Sequence, residues 1–147
     1  MSSNCGGKDL VDADGNGLQI LDRATATLGR VGNTSAALPV VLPVNFCLVG
    51  DRIAFRTGEG TKFEAATRRA VVAFEVDSIE PFSHAGWSVM VTGVAQEISD
   101  SAELDIMEKA KIPRWASSGG ERIVAVSAEM VSGRIVPGLR ASHEAEP

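Results

Sequence analysis

The sequence predicts a mainly β domain, an antiparallel barrel of about six strands carrying two short helices. Three observations point that way. Apolar and β-branched residues recur at a spacing of two, short glycine-containing turns separate them, and no regular β-α-β alternation is present to build a parallel sheet.

Taken in order, residues 1–17 are polar and Gly-rich and are expected to form a flexible leader. Within them Asp12-Ala13-Asp14-Gly15-Asn16-Gly17 imitates the start of a calcium loop, but Arg23 stands where the bidentate glutamate is needed, so no calcium site is expected. Residues 18–136 make the folded domain, and 137–147 a polar tail. Thr25, Thr27 and Val31 lead into a Gly-Asn-Thr-Ser turn cluster at residues 32–35. Residues 40–49 are almost continuously apolar, which predicts a strand covered on both faces. Gly50-Asp51 turns the chain into a half-buried strand in which Ile53, Phe55 and Thr57 alternate with Arg52, Ala54 and Arg56.

Gly58-Glu59-Gly60 breaks this strand, and the capping-box spacing of Thr61 and Glu64 opens a helix to about residue 69. A strand at 70–77 and a loop with Pro81 and Ser83 follow. Gly86–Glu97 is a long strand, with Trp87, Val89 and Val91 on one face, Ser88, Met90 and Thr92 on the other, and Gly93 placed to relieve a bend. Ser99-Asp100-Ser101 and Glu103 start a second helix ending near residue 111. After a loop from Pro113 to Gly120 come a strand at 122–127 and a short strand or extended arm near 130–136.

The 147 residues suit one domain, and a 44% hydrophobic composition is enough for a core. A net charge of −5 without a basic run disfavours nucleic-acid binding, so any anion site must be local. The first twenty residues lack a basic segment followed by an apolar one, and the longest apolar stretch is interrupted by Pro39, Pro43 and Asn45; a cytoplasmic protein with no membrane span is expected. Cys5 in the leader and Cys47 in an apolar strand suggest neither a disulfide framework nor a metal site, with Cys47 an inert core residue.

Residues 56–62, Arg-Thr-Gly-Glu-Gly-Thr-Lys, carry the most chemical information. A strand ends, glycines turn the backbone, and a helix begins, so free N–H groups, Arg56, Lys62 and the hydroxyls of Thr57 and Thr61 could converge on an anion. The competing reading is an ordinary glycine turn with a self-capped helix, in which Glu64 would repel an anion. Neither Arg56 nor Lys62 is expected to support the core. Catalytic side chains are scarce: His84 and His143 have no metal or triad partners, there is no tyrosine, and Ser88 and Ser132 have no activating base. Redox work by this chain therefore needs a cofactor.

Five blocks run in order: Gly29-Arg30; Pro39-Val40-Val41-Leu42-Pro43-Val44-Asn45-Phe46; Phe55-Arg56-Thr57-Gly58-Glu59-Gly60-Thr61-Lys62; Val72-Ala73-Phe74-Glu75-Val76-Asp77; and Gly86-Trp87-Ser88-Val89-Met90-Val91-Thr92-Gly93. In this the chain resembles the pyridoxamine 5′-phosphate oxidase-like, or flavin split-barrel, superfamily in its small actinobacterial nitroimidazole-reductase-like branch, over about residues 21–136. The resemblance implies a split β-barrel homodimer with cofactor sites between the subunits. It implies that Arg56, Thr57, Thr61 and Lys62 hold the cofactor phosphate, and that the backbone of Pro43, Val44 and Asn45 lines the ring system. Trp115 would cover it from the other subunit, while Trp87 packs at the barrel or dimer interface.

The function implied is an FMN-dependent oxidoreductase passing hydride to or from a small-molecule substrate. The alternatives are a non-catalytic carrier of flavin, the deazaflavin F420 or haem, and a cofactor-free structural dimer. The chain departs from authentic pyridoxamine phosphate oxidases in one respect. Its Ser132-Gly133-Arg134-Ile135-Val136 segment lacks their C-terminal Arg-x-His signature, so vitamin B6 oxidation is not expected.

Overall fold

The computed structural model describes residues 3–4, 28–35, 37–58, 69–112 and 121–138. Its strands are β1 (Ser3–Asn4), β2 (Leu28–Ser35), β3 (Leu38–Val49), β4 (Arg52–Gly58), β5 (Val71–Ile79), β6 (Gly86–Glu97), β7 (Glu121–Ser127) and β8 (Met130–Val136), with one described helix, α1 (Ser101–Lys109). Neighbours run β3-β2-β5-β6-β7-β4, and β3 also pairs with β4, which closes a six-stranded antiparallel barrel. β8 adds to β6 and β1 to β3. The helix expected over 61–69 lies outside the described residues, apart from Arg69 in a left-handed turn (φ 51°).

Alternation decides what fills the barrel. Val31, Phe46, Phe55, Phe74, Trp87 and Val89 point inward, and the Phe46 and Phe74 rings meet edge to face with centroids 4.8 Å apart. A second cluster lies outside the barrel wall, where Met107 and Ile112 pack on Ala54, Ile123 and Ala125. This cluster changes the expected character of β4. The sequence predicts a half-buried strand, yet Ile53 through Thr57 are all buried, because α1 and the turn after it cover the second face. The helix starts where a cap is available: the Asp100 carboxylate accepts from the N–H groups of Ala102 and Glu103, both at 3.2 Å.

Four expectations are corrected. Residues 32–35 continue β2 instead of turning, with Asn33 opposite Val40 and Ser35 opposite Leu38; the reversal comes at Ala37 (φ 67°). β3 is covered on both faces only from Val44 on, since its first half forms a protruding ribbon with β2 and leaves Val41 65% exposed. Ser3–Asn4, inside the expected leader, pair with β3 at Val49 and Leu48. Cys47 is disulfide-bonded, not an inert thiol.

β6 serves two parts of the wall. Through Val94 it pairs with β5, and from Ala95 with β7. Gly93 sits at the changeover, where the last residue of β7 crosses close to its backbone. No helix among the described residues is long and apolar enough to cross a membrane.

Candidate functional site

One end of the barrel gathers the features a site needs. β2, β4 and β6 finish there, and β3, β5 and β7 begin. β3 and β4 are paired from Val49↔Arg52 to Phe46↔Phe55, and the ladder then stops. Continued by three residues, the same register would set Asn45 against Arg56, Val44 against Thr57 and Pro43 against Gly58. The strands part instead, β3 staying with β2 and β4 with β7, so the wall opens into a fork. Five of the sequence-derived candidates, Pro43, Val44, Asn45, Arg56 and Thr57, flank this fork. Thr61, Lys62 and Trp115 lie outside the described residues.

The two candidates on β4 face opposite ways. Thr57 follows Ile53 and Phe55 inward; it is 6% exposed, and among the described residues its hydroxyl has no hydrogen-bond partner. Burying an unpaired hydroxyl costs about 1–3 kcal/mol, so a polar group placed against this atom would be stabilising. Arg56 points to the other face, under α1. Its Nε donates to the Ile112 carbonyl at 3.1 Å and its guanidinium reaches Glu108 at 3.3 Å, with the side chain 4% exposed. Contrary to expectation, Arg56 supports the packing of α1.

Other residues at this end carry no local sequence signal. Arg122, cross-strand from Thr57, pairs with Glu97 on β6 at 2.5 Å. Beside this pair, Arg69, Gln96, Glu97 and Ser99 line a cleft of about 300 Å³. Asn33, near the end of β2, is 8% exposed, with neither amide atom partnered among the described residues. In the sequence it stands out only as the first residue of Asn-Thr-Ser. Trp87 is in the barrel core and His84 sits in the exposed β5–β6 loop. No group of three or more potential metal ligands occurs among the described residues.

A second polar feature lies on the outer sheet face. Arg30 bridges Glu75 at 2.9 Å and Asp77 at 3.6 Å, beside a groove lined by Ser88, Met90, Ser132 and Arg134. Burial, then the hydrogen bond and charge of Asp77, raise the Glu75 carboxyl above its usual range, outweighing Arg30. Ionising Glu75 is thus harder in the fold than in the unfolded chain, and its contribution to stability is lost as pH rises through the folded midpoint. Asp77→Asn should lower that midpoint, read by carbon NMR of the Glu75 carboxyl; an unchanged midpoint would remove Asp77 as a cause.

Comparison with known proteins gives four relations. A family model described as pyridoxamine 5′-phosphate oxidase matches residues 18–135. An uncharacterised protein of Mycobacterium tuberculosis is 38% identical over 123 residues, 80% of each chain. The FAD binding protein from Mycobacterium smegmatis is 32% identical, with a TM-score of 0.67 over 76% of this chain and 88% of that one. An FAD and heme binding protein from the same organism shares the fold at 20% identity, with a TM-score of 0.61 over 82% of this chain and 73% of that one.

Proposed function

Since the chain belongs to the pyridoxamine 5′-phosphate oxidase family, we propose that it binds a flavin nucleotide at the β3–β4 fork and acts there as a homodimeric oxidoreductase. The observation that carries this reading is the buried, unpartnered Thr57 hydroxyl at the place where the barrel wall opens. A ligand phosphate or ring carbonyl would accept a hydrogen bond from it. The backbone of Pro43, Val44 and Asn45 forms the opposite side of the fork, and Thr61 and Lys62 follow closely enough in the chain to contribute to a phosphate cradle.

When bound, a flavin supplies two-electron redox chemistry that this chain's side chains cannot. The protein's part is to orient it, exclude water from one face, and satisfy the phosphate. FMN is the simplest ligand with the phosphate this cradle needs. The binding activity of the 32% identical relative makes FAD its first competitor.

The homodimer rests on the outer sheet face. Leu28, Val41, Val71, Met90, Val94 and Met130 are all at least 37% exposed there. Alternation in β2, β3, β5, β6 and β8 brings them to one side of the sheet. A second copy would bury that surface and supply Trp115 to its partner's site.

Native mass spectrometry tests both parts together, by showing whether the protein is a dimer and the mass of any bound flavin. Calorimetric titration of apoprotein with FMN, FAD, F420 and riboflavin then sorts the ligands. Thr57→Val keeps the side-chain shape and removes the hydroxyl. It should weaken flavin nucleotide binding about tenfold, the equivalent of 1.4 kcal/mol, while leaving the melting temperature unchanged or slightly higher. Equal binding of FMN and riboflavin by the wild type would defeat the phosphate reading. A monomer without flavin affinity would defeat the whole.

A further inference from the structure

Charge is distributed unevenly over the outer sheet face. β5, β6 and β8 are paired in register there, so Glu75, Met90 and Ser132 form one cross-strand row and Asp77, Ser88 and Arg134 the next. On β5 two carboxylates crowd on the single guanidinium of Arg30, at 2.9 and 3.6 Å, which leaves one negative charge unmatched when both are ionised. On β8, Arg134 is exposed and has no ion-pair partner among the described residues. Between them β6 presents Ser88 and Met90, the floor of a groove of about 430 Å³ with Glu75 on one side and Ser132 and Arg134 on the other. We propose that a second copy of this chain docks face to face about a two-fold axis running along β6, so that Arg134 of each protomer pairs with Asp77 and Glu75 of the other.

The pairing rests on the homodimer reading above and adds the orientation of the two copies and the residues that select it. In an isologous contact residue i meets j and j meets i, so one two-fold axis fixes every pair. An axis along β5 would lay Glu75 and Asp77 over their own copies, and an axis along β8 would lay Arg134 over its own. Either leaves like charges together as water is excluded. An axis along β6 carries β5 of one protomer over β8 of its partner, and the unmatched acid and base meet twice. Strands are about 4.8 Å apart, so the two charges lie at equal distances on either side of that axis. It also keeps the strands of the two sheets aligned, a common way for sheets to stack.

The exposed apolar residues agree with this axis. Met90 and Val94, both on β6, would meet their own copies on it. Met130 is cross-strand from Thr92, and Thr92 from Ala73, so Met130 would come over the partner's Ala73. Burying these side chains supplies the affinity, while the charge pairs select the orientation. The row of Glu75 continues through Arg30 to Pro43. The partner's β8, lying over β5, is therefore two strands from the β3 side of the fork.

The test is charge reversal in the full chain, read by native mass spectrometry and sedimentation velocity at low salt. Arg134→Glu sets acid against acid at both symmetry-related contacts, and Asp77→Lys sets base against base. Each should weaken self-association at least about a hundredfold while circular dichroism shows a folded chain. Mixed together, the two variants should associate as a heterodimer, because every contact then joins opposite charges. Both changes in one chain should restore the homodimer. Lys109→Glu, on α1 against another part of the wall, alters net charge as much as Arg134→Glu and should leave association unchanged. If Asp77→Lys disturbs the fold, Asp77→Asn should still weaken the dimer, and a dimer indifferent to it counts against the pairing. A monomeric wild type removes the homodimer reading and this pairing with it. A wild-type dimer that survives both reversals, or variants that pair with themselves as readily as with each other, overturns the pairing alone.

Discussion

Gly93→Ala should cost more than about 3 kcal/mol of stability, although a strand alanine normally outperforms glycine by roughly 0.5–1 kcal/mol. A Cβ at this position would collide with the Ser127 carbonyl oxygen and meet its carbon at 2.8 Å. Both are backbone atoms of β7, which is fixed by seven register pairs to β4 and cannot step aside without breaking the barrel wall. The position also marks the changeover of β6 from β5 to β7, so relief by local bending would disturb both ladders. Gly32→Ala is the control: it is another strand glycine, but a Cβ there meets nothing nearer than 3.7 Å, and it should be neutral or slightly stabilising. Urea unfolding of the two variants separates the readings. Similar midpoints would mean that the β6–β7 approach is not as tight as the backbone indicates.

Residues whose information is local were legible in the sequence. Alternating Trp87, Val89 and Val91 against Ser88, Met90 and Thr92 marked β6 with its observed bounds, Gly86–Glu97, and Ser99-Asp100-Ser101 with Glu103 marked the start of α1. The family and the antiparallel barrel followed from ordered blocks of this kind. The corrections arose where non-local pairing decides. Gly32 to Ser35 read as a turn because their composition is that of a turn, yet pairing with residues 38–41 of β3 holds them extended. The fork depends on β3 and β4 choosing different partners after Phe46 and Phe55, a choice made by β2 and β7 far away in the chain. Glu97 and Arg122 meet across 25 residues, so no motif announces them.

Arg56 shows most clearly how local chemistry and tertiary context diverge, and its substitution is expected to damage stability before it affects any ligand. At the end of a strand, beside glycines and a lysine, it has the local appearance of a phosphate ligand. The alternation that sends Thr57 into the barrel sends Arg56 out of it, beneath α1. There its Nε satisfies the Ile112 carbonyl, and its guanidinium meets Glu108 at the rim. Glu108 is about half exposed, so water can solvate it after the change and the ion pair contributes little.

The larger costs are the buried Ile112 carbonyl left without a donor, about 1–3 kcal/mol, and the lost packing of the arginine stem, about 0.8 kcal/mol per methylene. Arg56→Ala should therefore lose about 3 kcal/mol, lowering the melting temperature by roughly 6–12 °C for a chain of this size. Arg56→Met, which keeps the stem and removes the donors, should recover part of that loss. Flavin affinity of the folded fraction should change far less than in Thr57→Val. If Arg56→Ala instead melts like the wild type and binds FMN ten- to a hundredfold more weakly, the guanidinium belongs to the cofactor and not to α1.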